Sequence, residues 1–509
     1  MTNCKVILLN PPTAVPSSEI LLNLVYLSST LKKAGHDFLV LDATAPFHLL
    51  NEEELEQQIL QFSPHFIGVT ITITYIPQTY EYLKCLKKLK IPIVAGSPHA
   101  NCCPEEVLQH SVDIVAIGEG EDTILDLAKY FLGRKKIEDI AGICFIKKDD
   151  SVCYTSKRPL IKNLDTIPFP DYDAFPIVYY TGSHNPFSNP IFWSVFSSRG
   201  CHYNCIFCSS HNVFGRTYRA RSPQNVFQEI EFLAEKYGAR IFAFQDDEAF
   251  INKDRIIEFC GLVKKSQFAL KFSAQLRIDS LDEQMLSEML SACFCRLAFG
   301  IESFNDETLQ KINKIYTVSD IHEGFKILEK IHFPAIYFNN IIGFPWETPE
   351  HFKKNIQEMS IIPKSLIFFS STATPIPYPG TKLYDQYHKQ YGFTEWWLDL
   401  KRNSPSPSKI NAFFMLFLSD QLCLYIDDVF WDYSPQMKRA ITDFCWKNSS
   451  IYLRRLFPFS EYLLIFIFSK ISHRIWKFSP QLEKILLYPV AWVAKRLKLD
   501  KKTSFIYHT

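Results

Sequence analysis

Three cysteines, Cys201, Cys205 and Cys208, stand in the run Ser198-Arg199-Gly200-Cys201-His202-Tyr203-Asn204-Cys205-Ile206-Phe207-Cys208. This C-x3-C-x2-C spacing lets three thiolates from one loop, placed just after a strand-like stretch at 191–196, converge on one inorganic centre. A 4Fe-4S cluster ordinarily takes four cysteine thiolates, so three leave one iron open to a chelating small molecule. The alternative is a zinc knuckle completed by His202 or His211, although the spacing is unusual for zinc. The other 11 of the 14 cysteines stand alone or, as in Cys102-Cys103 and Cys293-x-Cys295, have poor chelate spacing. They read as buried small hydrophobes.

The elements around this loop must come from a chain of 509 residues, long enough for two or three domains. At 47% hydrophobic and 21% charged the chain reads as folded rather than disordered. A net charge of +1 gives no global reason to expect nucleic acid. No apolar run reaches the roughly 20 residues that cross a bilayer, and Met1-Thr2-Asn3-Cys4-Lys5 leads straight into a strand. The expected location is cytoplasmic, with the thiols reduced.

After Ser222 helical and strand periods alternate. Strands are expected over 240–245, 271–275, 296–299, 335–342 and 366–374, each preceded by a helix, which implies a parallel sheet closing into a partial barrel. Chemistry in such barrels sits at the strand C-terminal ends. Those ends carry Asp246-Asp247-Glu248, Arg277-Ile278-Asp279, Gly300-Ile301-Glu302-Ser303 and Gly343-Phe344-Pro345-Trp346-Glu347-Thr348. Before the cysteine loop, five more units with strands over 5–10, 37–42, 66–70, 92–95 and 114–117 imply a doubly wound sheet. Its loops Gly96-Ser97-Pro98-His99-Ala100 and Gly118-Glu119-Gly120-Glu121 hold glycines that permit close backbone approach to a ligand.

The cysteine loop, with Phe207 in the aromatic position, resembles the radical S-adenosylmethionine (SAM) superfamily. The resemblance implies reductive cleavage of SAM, bound through its methionyl amine and carboxylate at the open iron, to a 5'-deoxyadenosyl radical. It also implies SAM contacts from Asp246, Asp247, Arg277, Glu302, Ser303 and Gly343, and it matches Pro377-Tyr378-Pro379-Gly380-Thr381 to the segment that closes this barrel. The first domain looks like the cobalamin-binding domain of one large radical SAM class, which implies cobalamin contacts from Gly96, Ser97, Gly118 and Gly120. The D-x-H-x-x-G loop of other cobalamin proteins is absent, which is compatible with cobalamin held without a histidine ligand. His99 reads as a polar loop residue rather than a cobalt ligand.

The fold class expected is thus α/β: a Rossmann-like cobalamin-binding domain at 1–135, a linker at 136–185, a partial TIM-type barrel at 186–395 and a mostly helical extension at 396–509. From Ser434 onward the extension holds 14 Lys and Arg against 4 acids, so the neutral total conceals a basic tail. The stretch 485–499 has the composition of an interfacial amphipathic helix, which suggests peripheral contact with the inner face of a membrane and a lipid or other small-molecule substrate. A helical cap on the barrel is the alternative. The expected activity is cobalamin-dependent methyl transfer to an unactivated carbon, served by an external one-electron reductant such as flavodoxin or ferredoxin. Its rivals are cyclisation, rearrangement or C–C bond formation on the same architecture, and a non-catalytic cobalamin or iron-sulfur sensor.

Overall fold

The computed structural model describes residues 3–12, 20–45, 50–175, 177–180, 193–399 and 430–456. The first sheet contains β1 (Lys5–Asn10), β2 (Asp37–Asp42), β3 (Phe66–Val69), β4 (Ile93–Gly96), β5 (Ile114–Ala116), β6 (Ile143–Ile146) and β7 (Val152–Tyr154), in the order β2-β1-β3-β4-β5-β6-β7. The first five are parallel. β1 is a continuous apolar run, Lys-Val-Ile-Leu-Leu-Asn, because helices cover both its faces. The chain crosses from β1 to β2 on one side and to β3 on the other, so a crevice opens at the C-terminal ends of β1 and β3.

The expected linker at 136–185 begins inside this sheet, since β6 and β7 extend it as antiparallel strands. With four and three residues they are too short to show a period.

The second sheet follows the order β15-β14-β13-β12-β11-β8, all parallel: β8 (Trp193–Val195), β11 (Ile241–Phe244), β12 (Lys271–Leu276), β13 (Phe294–Glu302), β14 (Ile336–Ile341) and β15 (Phe368–Ala373). A two-residue ribbon, β9 (Ser198–Arg199) with β10 (Arg219–Ala220), brackets the cysteine loop. Strand alternation sorts the residues by face. Phe242, Phe244, Phe272 and Phe294 are buried with Phe259 from helix Lys253–Val263, whereas Gln245 and Gln275 on the opposite face are exposed. The sheet is therefore an open half-barrel with a polar, accessible interior.

Helix Pro435–Leu456 covers β15: Ile441, Phe444 and Cys445 are buried, and Asn448 Nδ2 donates to Ser370 Oγ (3.2 Å) and Thr372 Oγ1 (2.9 Å). The preceding Tyr433 donates its hydroxyl to the Gly343 carbonyl. Gly343 has φ +89°, and a Cβ there would lie 2.4 Å from Tyr433 Oη and 3.1 Å from Ile441 Cδ1. Gly343→Ala is expected to cost about 1–3 kcal/mol in chemical denaturation and to speed tryptic cleavage at Lys438 and Arg439; unchanged values for both would remove the tail from the fold's support. The stretch 485–499 lies outside the described residues. Among those described, no helix is long and apolar enough to cross a membrane.

Candidate active site

The cysteine loop leaves β9 through Gly200, whose φ is +81° and whose absent Cβ would sit 2.4 Å from the Thr217 carbonyl. Only glycine lets the two sides of the loop approach so closely. The loop is then sewn to the barrel: Ile206 N donates to Ile312 O (3.2 Å), Leu383 N to Ile206 O (2.9 Å), and Asn313 Nδ2 to Asn204 O (2.8 Å). Cys201, Cys205 and Cys208 are each half-buried, and burial pushes the Cys201 thiol up to about 11. Among the described residues the three sulfurs do not form a group within 4.8 Å of one another, alone or with His202 or His211.

The strand ends place the expected residues unevenly. Asp246 is buried and accepts from Ser197 N (2.7 Å), Ser197 Oγ and Ser198 Oγ (2.5 Å), so it anchors the approach to the loop. Ser303 is fully buried with its Oγ 3.5 Å from Asn355 Oδ1 and faces helix Pro349–Ile361. Gly343 is committed to the tail. Each of these three is held by a neighbour that the sequence pattern does not reveal.

The others do reach the loop. Asp247 accepts from Ser210 Oγ. Arg277 stacks on Tyr203, 3.8 Å from guanidinium carbon to ring centroid, and forms a two-point pair with Asp279 at 2.9 and 2.8 Å. Glu302 has φ +66° at an irregularity in β13 and lies buried, with Oε1 3.5 Å from Lys314 Nζ. Lys314 also donates to the Gly300 carbonyl (2.7 Å), and its field opposes the burial that raises the Cys205 thiol.

Two groups here were not anticipated. Lys314 is an isolated lysine in a loop, without a motif. Glu248 is buried with Oε2 unpartnered, and burial pushes it up to about 7 against the pull of Arg277. Its place beside Asp246 and Asp247 was the available signal.

Between the two sheets lies a cavity of about 600 Å³. Its first-domain wall includes Gly68, Gly96, Ser97, Gly118 and Gly120, and its barrel wall includes Phe196, Arg199, Ser209, Phe214 and Tyr378. All four expected cobalamin contacts therefore border one space, and Ser209, next to Cys208, borders it too. Gly118 has φ +89° with open space where its Cβ would be, and its N–H donates to Asn101 Oδ1 (2.6 Å). A glycine-lined, mostly apolar chamber at the switch point suits a large planar ligand.

The acids between those glycines do something else. Glu119 accepts from Arg199 Nη1 (2.9 Å), Arg219 Nη1 (2.9 Å) and Ile161 N (2.7 Å), and Glu121 pairs with Arg199 Nη2 (2.5 Å). A second bridge runs from Tyr26 Oη to Glu229 Oε1 (3.1 Å), with Arg221 on the same carboxylate at 2.6 Å. The first domain and the barrel are thus joined by buried ion pairs at Glu119 and Glu121 and by a buried hydrogen bond at Glu229.

A parallel half-barrel with a three-cysteine loop at its mouth, facing a doubly wound sheet across one chamber, defines a radical SAM enzyme with a second cofactor domain. Residues 195–359 match the radical SAM superfamily and residues 14–128 the B12 binding domain. An uncharacterized methyltransferase of Pyrococcus horikoshii is 30% identical over 75% of this chain and 82% of its own. The hopanoid C-3 methylase of Methylococcus capsulatus is 22% identical over 86% and 83%, and an anaerobic magnesium-protoporphyrin IX monomethyl ester cyclase of Cereibacter sphaeroides 29% over 64% and 54%. The fold is that of the radical SAM methyltransferase TsrM from Kitasatospora setae (TM-score 0.64, 17% identity, 77% of this chain and 79% of that one) and of the cobalamin-dependent radical enzyme OxsB (0.66, 14%, 99% and 79%). The chain belongs to the cobalamin-dependent radical SAM methyltransferase family, whose cofactors are a 4Fe-4S cluster, SAM and cobalamin.

Proposed function

We propose that this chain transfers a methyl group to an unactivated carbon of a lipid or other small metabolite. The observation that carries the reading is the single chamber bounded by the first-domain glycine loops on one side and the cysteine loop on the other. When bound, the cluster supplies the electron that splits SAM, and cobalamin carries the methyl group. The chain's own part is placement. Cys201, Cys205 and Cys208 would hold three irons; Glu248 suits the SAM ammonium and Lys314 or Arg277 its carboxylate. Gly68, Gly96, Gly118 and Gly120 leave room for the corrin ring, and Phe196, Phe214 and Tyr378 keep water from the reacting carbon.

Support for a lipid comes from the chamber's apolar lining and from likeness to a hopanoid methylase over most of the chain. The basic tail supports contact with an anionic bilayer. The likeness to cyclases favours a second reading, in which the radical closes a ring. Anaerobic reconstitution with iron, sulfide and hydroxocobalamin, reduced flavodoxin and methyl-deuterated SAM separates these. Methyl transfer predicts 5'-deoxyadenosine together with a deuterium-labelled product from a lipid extract. An unlabelled product points to cyclisation, and failure to form 5'-deoxyadenosine leaves the sensor.

The ionisation of Glu248 gives a pH dependence. Its folded value near 7 exceeds the ordinary 4.5, so the SAM-free protein holds this proton more tightly than the unfolded chain does. That contribution to stability fades as pH climbs from 4.5 to about 7. SAM binding, which needs the anion, is expected to tighten over the same climb. Glu248→Gln should weaken SAM by about 10- to 100-fold, the loss of one charged hydrogen bond, and flatten the pH profile measured by equilibrium dialysis; unchanged affinity would give the ammonium to another group.

A further inference from the structure

A buried polar cluster lies in the first-domain wall of the chamber, where His99 is one of the lining residues. His99 sits on the short helix Pro98–Cys102, Cys103 follows it, and Glu106 lies on helix Pro104–Leu108. One ligand atom from each lies within 4.8 Å of the other two. The His99 side chain is 1% exposed, and its Nε2 is 2.9 Å from Glu106 Oε2. His99 Nδ1 is buried without a hydrogen-bond partner, and the Tyr80 hydroxyl interacts with the Glu106 carboxylate. His110 Nδ1 approaches Glu106 Oε1 only to 3.4 Å and is engaged with the Glu106 carbonyl at 2.8 Å.

Buried polar atoms are rarely left unmatched, and an unmatched imidazole nitrogen beside a thiol and a carboxylate suits a cation. The neighbouring Cys102 behaves differently: its sulfur accepts from Asn212 Nδ2 at 3.1 Å and it lines the chamber. The vicinal pair is therefore divided, with Cys102 toward the chamber and Cys103 toward the imidazole and carboxylate.

We propose that His99, Cys103 and Glu106 form a zinc site in the chamber wall. Imidazole nitrogen, thiolate and carboxylate are the donors zinc prefers, and a tetrahedral set needs them roughly 3.3–3.6 Å apart, within reach of small side-chain shifts from this arrangement. The fourth position falls to water or to Tyr80 Oη. The ion pins residues 97–108, which carry Ser97 and Asn101 of the chamber wall, and holds His99 edge-on to Trp397 (5.4 Å between centroids) beyond the barrel. It also removes His99 from cobalt ligation.

The test measures zinc, iron and cobalt separately by mass spectrometry in the reconstituted holoenzyme after zinc loading and passage over a chelating resin. One zinc per chain is expected beside full iron and cobalt, falling to background in His99→Gln and Cys103→Ser without loss of iron. The zinc X-ray absorption edge should show one sulfur and two or three light scatterers. Where a variant fails to fold, alkylation of the unaltered chain decides: zinc should protect Cys103 and leave the exposed Cys85 reactive. Zinc absent, equal in Cys103→Ser, or without effect on Cys103 alkylation overturns the proposal and leaves a hydrogen-bonded network.

Discussion

Cys205→Ala is expected to abolish the cluster's visible absorption and bring 5'-deoxyadenosine formation down to the level of a protein-free control. Bound corrinoid should be retained. Three loop thiolates hold a cluster that already lacks a fourth cysteine, so removing one leaves two, too few to keep the cube. The backbone that positions Cys205 does not depend on its side chain, because Ile206 is held on both sides by Ile312 and Leu383. The chamber is bordered by Ser209 rather than by any of the three cysteines, so its ligand should stay. A variant that still made 5'-deoxyadenosine would require another residue to take the place of Cys205 and would end the ligand assignment.

The largest effect on stability is expected from Glu119→Ala. Arg199 and Arg219 have side chains 9% exposed, and both point at this carboxylate, which is 2% exposed. Its removal leaves Arg219 without its carboxylate and Arg199 with Glu121 alone. Breaking a buried pair by deleting one partner costs about 3–5 kcal/mol, because the surviving charge stays desolvated. Glu121→Ala should cost less, since Arg199 keeps Glu119. The order Glu119 above Glu121 is checked by urea denaturation; equal and small losses would mean that water reaches both guanidinium groups. Because Arg199 lies two residues before Cys201, cluster occupancy in Glu119→Ala should fall along with stability.

How much of this could be read beforehand depended on range. The buried strand Lys5–Asn10 is visible because a covered parallel strand is an apolar run bounded by polar residues. The cysteine loop is visible because its chemistry is local: three ligands within eight residues need no knowledge of the fold. Glu119 and Arg199 are 80 residues apart, and no local pattern reveals that the acids of a glycine-rich loop reach across to another domain. Asp246 and Ser303 show the complementary limit. Their positions were legible, but whether a side chain faces a ligand or a neighbour depends on Ser197 and Asn355, which only the packed structure supplies. Lys314 was missed because one lysine in a loop looks like any solvated charge until the loop folds over Gly300.

The contact between Tyr26 and Glu229 bears on how such enzymes can be recombined. The hydroxyl from helix Leu22–Lys33 and the Arg221 guanidinium share a carboxylate on helix Pro223–Lys236 that is wholly shut off from solvent. A chimera that joins this barrel to another relative's first domain would inherit half of that bond and bury the other half unmatched. Specificity grafts should therefore cut within loops facing the chamber and carry Tyr26 and Glu229 together, as one heritable unit split between two folds.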